Sequence, residues 1–456
     1  MGQKLRTDIC IIGAGITGLT LAYHLKKKGK RVTVIDKSAK VGGVIQTIKE
    51  DGFIYESGPN TGVLSNPELV ELFEELNGVN LETANADSKK RWILKNNTFH
   101  ALPSSLMGGV TTPLFTFADK LRILGEPWRK PGTNPHETLA DLVRRRMGKS
   151  FLDYAIDPFI SGIYAGDPEN IIPKYALPKL YNLEQKYGSF IRGAIKKSKE
   201  PKTDREKKAT KEVFSAEDGL YNLVSALEDA IGKENIVLNC KQTVIAPEEK
   251  GFKVEGMIGD TEPIEILANK VVSTVPSPEI GNLIPFAARE DVETIRQLVY
   301  AKVVQVVFGF TSWKGIKLDA FGGLIPRLEN RKVLGILFPS SIFKRRAPEG
   351  GALLSVFVGG MRHPEIIDMP DNELFRLAQE TVQQTLKSDS EPELKRVFRY
   401  RNAIPQYTDT TPERLAAIER IEKAYPGLIL AGNIRDGIGM ADRVKQAYEL
   451  SEKLTK

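Results

Sequence analysis

Residues 9–37, ICIIGAGITGLTLAYHLKKKGKRVTVIDK, restrict the fold of this chain more than any other stretch. An apolar, strand-like run at 9–12 enters Gly13-x-Gly15-x-x-Gly18, with Ala14, Ile16 and Thr17 between the glycines. A helical pattern follows in Leu19, Leu21, Ala22 and Leu25, then Gly29 and a β-branched run at 32–35 that ends in Asp36. Gly13 permits a tight turn, Gly15 lets the backbone approach a pyrophosphate, and Gly18 lets the helix pack closely on the sheet. The amides at that helix start, with the positive end of its dipole, bind phosphate. Asp36 lies 18 positions after Gly18, where a carboxylate accepts hydrogen bonds from ribose hydroxyls. A glycine turn that binds nothing would account for the glycines but leave Asp36 unexplained. The stretch therefore predicts a dinucleotide site.

The segment after Asp36 selects among dinucleotides. Gly42 and Gly43 come at once in KVGGVIQT, then DGFIYESGPNT at 51–61. An NAD domain usually proceeds here to another βα unit. A second glycine pair, a strand and a GPN turn instead resemble the amine-oxidase-like flavoproteins, in which this segment runs along the flavin. The expected cofactor is FAD.

A chain of 456 residues is too long for one core and suits two or three domains. No apolar run approaches the roughly 20 residues of a membrane-spanning helix. The first residues lead directly into the first strand, so no signal or transit peptide is expected. Met1-Gly2 suggests myristoylation, but Arg6 stands where that motif requires Ser or Thr. The two cysteines, Cys10 and Cys240, fall in predicted strands and read as small buried hydrophobes, in keeping with a reducing cytoplasm. The four histidines are scattered, so neither a metal site nor a nucleophile-base pair is expected.

The net charge of +7 is uneven: residues 196–212, KKSKEPKTDREKKATKE, hold eight basic and four acidic side chains and supply +4 of it. A solvated, mobile loop is the first reading of that run, and attraction to anionic lipid headgroups is the second. Without interleaved aromatics or a nucleic-acid module, no nucleic-acid partner is expected. Helical periodicities occupy 121–124, 139–147, 151–156 and 180–195, the last with Leu180, Leu183, Tyr187, Ile191 and Ile195 on one stripe. With the apolar segment 102–117 upstream, such a lobe either packs as ordinary core or lies in a bilayer interface. Strands are predicted at 235–246, 252–254 and 268–276, a β-rich region at 300–360, and a glycine turn with a long helix opening near Gly439. A helix start there can stabilise negative charge on a reduced flavin.

Across nearly its whole length the chain resembles the FAD-dependent, oxygen-using protoporphyrinogen oxidases of bacteria. The carrying segments are GAGITGL, ESGPNT, PFISGIYAGDPEN, PKLYNLEQKYGSFIRGAI, VVSTVP, FGGLIP, LGILFPSSIFKRRAPEG, FVGGMRHP, AIPQY and GNIRDGIGMAD. The resemblance implies an α/β fold: a discontinuous Rossmann-like FAD-binding domain (1–88, 213–298, 421–456), a β-rich substrate domain (299–420) and an inserted, membrane-facing α-helical lobe (89–212). It implies six-electron oxidation of protoporphyrinogen IX in haem biosynthesis, as three hydride transfers to non-covalent FAD with dioxygen as acceptor. Proton loss can be relayed through the macrocycle, so no catalytic acid or base is assigned. By the same resemblance Arg91 pairs with a propionate, Leu324, Leu337 and Phe357 hold the macrocycle, and the Ala165 carbonyl accepts from pyrrole N–H groups. The cofactor would meet Gly13, Ala14, Gly15, Ile16, Thr17, Gly18, Asp36, Lys37, Val44, Gly58, Pro59, Asn60, Thr61, Val244, Ile438, Gly439 and Met440. Peripheral contact with the inner face of a bacterial cytoplasmic membrane is implied, and a homodimer is compatible.

The chain departs from the pattern at Glu217-Asp218-Gly219, where relatives carry a glycine pair, and at Ile434, where they often carry an aromatic. Both put local flavin contacts in question. Two alternatives stay open: a sister group that oxidises the tetracarboxylate coproporphyrinogen III, and, more distantly, amine oxidases or carotenoid desaturases.

Overall fold

The computed structural model describes residues 2–103 and 106–456; Met1 of the Met1-Gly2 motif, and 104 and 105 of the segment 102–117, lie outside the described residues. Two seven-stranded sheets organise the chain. The first is the nucleotide sheet. Gln3–Ile12 pairs in parallel with Val32–Ile35 on one side and Glu262–Ser273 on the other, and Leu428–Leu430 pairs in parallel with Glu262–Ser273. The first strand begins six residues before the predicted 9–12, since QKLRTD continues it as a largely exposed end. The returning strands are an antiparallel meander, Cys240–Glu248, Gly251–Ile258 and Glu262–Ser273; the first is shorter than the expected 235–246, and the other two begin earlier than expected.

Helices cover both faces of this sheet, as its near-continuous apolar strands require. Leu19 and Leu25 of Ile16–Lys27, Leu223 and Leu227 of Tyr221–Ile231, and Val444 and Ala447 of Met440–Thr455 form the core on one side. Ile295, Ile418 and Ile421 fill the other. Cys10 and Cys240 are buried and unpaired, as expected.

The second sheet runs in the order Leu394–Pro405, Tyr300–Phe310, Ala352–Gly359, Val333–Leu337, Gly322–Leu324, Arg91–Lys95, Thr98–Ala101. The hairpin 91–101, grouped with the helical lobe on sequence, is therefore the edge of this sheet. Alternation sorts its residues: Trp92, Ile336, Val356 and Val306 face the helix Asp371–Leu386 through Leu374, Ala378 and Val382. The opposite face is turned toward the nucleotide domain.

The inserted lobe is helical but not as drawn from periodicity. The stripe 180–195 is a hairpin of two helices, Pro178–Tyr187 and Phe190–Ser198, because Gly188 adopts φ 71° and the Ser189 hydroxyl caps the second. Between the helices Lys149–Phe151 and Asp157–Tyr164 the chain makes one π-turn, Leu152–Ile156, a widening that recurs at functional sites. A buried charge cluster holds the lobe together. Arg146, fully buried, pairs with Glu126 and Glu184, and Glu126 accepts from the Ser189 hydroxyl and the Phe190 and Ile191 amides. Every charge in it has a partner, the condition under which such a cluster is tolerated. The basic run is not simply a free loop: Arg205 pairs with Glu71 and Lys208 with Glu74, docking it on the helix Pro67–Glu75.

Candidate functional site

The predicted cofactor residues from Gly13 to Gly18, Val44, Gly58 and Met440 are linked into a strip by close backbone approaches. At its head, an added Cβ at Gly18 would lie 1.9 Å from the Gly13 carbonyl oxygen. Only glycine permits that approach of helix to turn. The N-cap Gly15 brings no side-chain cap, its first turn has no acidic residue, and open space lies where its Cβ would be. This start is a cradle for an anionic group. Gly42 bridges to Gly15 and donates to the Ala14 carbonyl. Farther along, the Val44 carbonyl lies 2.0 Å from the Cβ position of Gly58, and Gly62 abuts Phe214 and Met440. The strip ends at Gly439, which caps Met440–Thr455 with backbone alone while Asp442 accepts its amide.

Asp36 sits where predicted, its Oδ2 accepting from the Ala14 amide at 2.7 Å and its Oδ1 from the Ser38 amide at 2.8 Å. Its remaining lone pairs are what ribose hydroxyls would meet. Lys37 turns to Glu279 in an exposed ion pair at the rim. Val244 follows a bulge at the edge of the meander, half-buried. Val44 leaves an apolar side chain 59% exposed beside the strip, a surface that a flat aromatic ring would cover. Pro59 and Thr61 are half-buried beside Asn60, whose amide donates to the Gly58 carbonyl and whose Oδ1 accepts from Ser355. These residues fit a flavin dinucleotide: the first glycines would hold its phosphates and Asp36 a ribose.

The departures leave the strip intact. Asp218 takes φ 61°, so an aspartate occupies the left-handed position of the missing glycine, which Asp and Asn tolerate better than other residues with a Cβ. Ile434 is fully buried beside Ala417 and Ile418, pointing into the core.

Strand register places the predicted substrate residues together. Arg91, Gly322, Leu337 and Ser355 form one row across four strands; Ile93, Leu324, Gly335, Phe357 and Gln305 form the next. Both rows lie on the face turned to the nucleotide domain. Arg91, Leu324, Leu337 and Phe357 are half-buried, whereas Trp92, Ile336 and Val356 behind them are buried. That contrast leaves the first four side chains accessible on one face of the sheet, a wall against which a ligand could lie. Ala165 approaches from the end of Asp157–Tyr164 at φ 46°, its carbonyl accepting from the Met361 amide at 2.7 Å and keeping one lone pair free. Leu324 packs 2.5 Å from the Cβ position of Gly162, so this helix roofs the second row.

Among the described residues of these two rows, Arg91 is a charged group without an opposite charge. Its guanidinium lies 3.9 Å from the centre of the Phe321 ring, and burial alone holds it below its usual range. Among the described residues no carboxylate pairs with it. The neighbouring Lys90 pairs with Asp319, and Arg396, at the far end of the first row, pairs with Glu50.

Gln305 and Ser355 were missed on sequence, and they join the two sites. The Gln305 amide donates to the Glu56 carbonyl at 2.9 Å and accepts from the Gly58 amide at 3.2 Å, while Ser355 donates to Asn60 at 2.8 Å. A lone glutamine in the apolar run VVQVV was the available signal. Phe321, also missed, precedes Gly322 in FGGLIP. Among the described residues no group of side chains could hold a metal ion, and no helix is long and apolar enough to cross a membrane.

Comparison with known proteins agrees with this architecture. The family model described as flavin containing amine oxidoreductase matches residues 16–444. The chain is 30% identical over 461 residues to a mitochondrial protoporphyrinogen oxidase of Nicotiana tabacum, covering 95% of this chain and 91% of the relative. It is 27% identical over 472 residues to a coproporphyrinogen III oxidase of Bacillus subtilis (strain 168), covering 99% and 98%. A crystal structure from Exiguobacterium sp. 255-15, provisionally described as a protoporphyrinogen oxidase, superposes with a TM-score of 0.82 at 24% identity, covering 99% and 98% of the two chains.

Proposed function

The chain belongs to the flavin containing amine oxidoreductase family and is an oxidase, and from that premise we propose that it oxidises protoporphyrinogen IX to protoporphyrin IX. The observation that carries the reading is Arg91: a half-buried, unpaired guanidinium stacked on Phe321, in line with Leu337 and one row from Leu324 and Phe357. An apolar wall with one unsatisfied fork suits an apolar disc bearing carboxylates at one edge.

The glycine strip would hold FAD non-covalently, and the flavin would supply a two-electron acceptor that dioxygen can reoxidise, giving hydrogen peroxide. The chain's own residues orient. Arg91 takes a propionate bidentately and sets the disc's rotation. Leu324, Leu337 and Phe357 exclude water from its faces, and the free lone pair of the Ala165 carbonyl accepts from pyrrole N–H groups. Both cysteines are buried, so neither offers an exposed thiol for a covalent tether.

The substrate reading prefers two carboxylates to four because Arg396, the other cation in these rows, is already paired. The similarity to coproporphyrinogen III oxidases keeps the tetracarboxylate as the rival. A membrane contact belongs to the same reading. Phe117, Leu121 and Leu124 share one face of the helix Phe117–Leu124, and Trp128 follows; Phe117 is 76% and Trp128 78% exposed, with Arg122 and Lys130 beside them. This is an interfacial pattern facing anionic headgroups, suited to a peripheral enzyme on the cytoplasmic side.

The test is an aerobic fluorescence assay of the FAD-loaded protein, with protoporphyrinogen IX and coproporphyrinogen III in parallel and peroxide followed alongside. Faster turnover of protoporphyrinogen with about three peroxides per porphyrin is the expected result. Preference for coproporphyrinogen would replace the substrate, and yellow protein inert to both would overturn the reading.

A further inference from the structure

The strand Leu394–Pro405 runs out into Gln406 and Tyr407, adjacent residues whose side chains reach different sites. Both are almost fully buried. The Gln406 amide donates to the Tyr164 carbonyl at 3.0 Å and to the Ile404 carbonyl at 3.0 Å. Tyr164 is the last helical residue before Ala165, whose left-handed conformation is costly for a residue with a Cβ. The Met361 amide grips the next carbonyl, that of Ala165. So the substrate turn is strained and held by two hydrogen bonds.

Tyr407 serves the cofactor side. Its hydroxyl accepts from the Gly437 amide at 3.1 Å and stands 3.2 Å from the Gly437 carbonyl and 3.3 Å from that of Asn433. Those residues form the turn that delivers Ile438, Gly439 and Met440. The dipeptide itself is anchored: the Gln406 amide donates to the Val299 carbonyl, and the Tyr407 carbonyl accepts from Ile172. Successive side chains of an extended segment point opposite ways, so one fixed backbone reaches both turns.

We propose that Gln406 and Tyr407 are paired positioning residues that set the spacing between the substrate turn at Ala165 and the cofactor turn ahead of Met440. Gln406 holds the Tyr164 carbonyl, and through it the strained turn at Ala165, while Tyr407 holds the flavin-side turn. Reacting atoms must meet within about 3–3.5 Å, and a displacement of about 1 Å costs rate. The kinetic part of this inference rests on the proposed function; its structural part does not.

The holoprotein variants Gln406→Met, Tyr407→Phe and Gln406→Met/Ala165→Gly test it, with Gln406→Asn as the second probe should Gln406→Met not fold. Amide hydrogen exchange and FAD affinity need no porphyrinogen, so a failure of the substrate reading leaves them interpretable. Gln406→Met should speed exchange at 161–168 and Met361, leave 433–440 protected, keep FAD affinity within about twofold and lower kcat about tenfold. Tyr407→Phe should do the reverse, loosening 433–440 and weakening FAD about tenfold. Glycine accepts the left-handed conformation without a clamp, so adding Ala165→Gly should restore protection and kcat to Gln406→Met. Equal loosening of both turns by either single variant, or no rescue by Ala165→Gly, overturns the proposal.

Discussion

The guanidinium of Arg91 lies 3.9 Å over the ring of Phe321, stacked on an aromatic face and bonded to no carboxylate. Stacking leaves the edge of the fork free for the substrate carboxylate proposed above.

Arg91→Ala should therefore raise KM for the porphyrinogen by roughly ten- to a hundredfold, the worth of a charge-assisted bidentate pair. FAD content should be unchanged. Arg91→Lys should recover only part of the loss, because an ammonium lacks the planar fork. Steady-state kinetics decides it: an unaltered KM removes Arg91 from the site.

Gly18→Ala places a methyl group 1.9 Å from the Gly13 carbonyl oxygen, which belongs to backbone and cannot swing away. The helix Ile16–Lys27 must lift from the strand beneath it. We expect colourless protein with stability lowered by at least about 2 kcal/mol, read from flavin absorbance and urea unfolding. Yellow protein with an unchanged midpoint would show that the close approach is not required.

Burial pushes the Glu56 carboxyl up to about 7, outweighing the Thr47 hydroxyl, the Leu220 amide and the Arg346 charge that favour ionisation. An ordinary carboxyl of this type ionises near 4.5, so between the two values the folded protein holds a proton that the unfolded chain has lost. The contribution is full below pH 4.5 and is lost as pH rises through 7, by about 3 kcal/mol at most. Glu56→Gln should flatten that decline in unfolding curves taken at pH 5 and pH 8. An unaltered slope would assign it to other groups.

Replacing Leu121 and Trp128 together by Glu should abolish co-sedimentation with phosphatidylglycerol vesicles, leaving turnover of dispersed substrate unaffected. Wild-type binding should weaken as salt rises, since part of it is electrostatic. Wild-type protein that stays in the supernatant at low salt would end the membrane reading.

Much of the nucleotide domain was legible because its signals are local: the turn, helix and strand of 9–37 sit within one βαβ unit, and Gly439 opens a helix as expected. Long-range register was not. Nothing in KKRWILKNNTF says that Arg91–Lys95 will run parallel to Gly322–Leu324, more than two hundred residues away. That pairing is what brings Arg91 into line with Leu337. Periodicity also failed at Gly188, since a stripe counts spacing but not the backbone reversal that one left-handed glycine allows. Gln305 was hidden for the opposite reason: its neighbours are so apolar that the strand read as core. At the departure Glu217-Asp218-Gly219, Asp218 adopts the left-handed state that a glycine would take without strain.

The nucleotide sheet begins with Gln3–Ile12 and is completed only by Leu428–Leu430 and the helix after it. During translation, the helical lobe and the second sheet leave the ribosome before the floor of the cofactor groove exists. A nascent chain halted short of 428 would carry a nearly complete apolar cleft with nothing to occupy its open side. Pairings this distant in sequence form slowly, so the nucleotide sheet is among the last parts of the fold to close. A groove able to take a flavin is therefore complete only once synthesis has run past Met440.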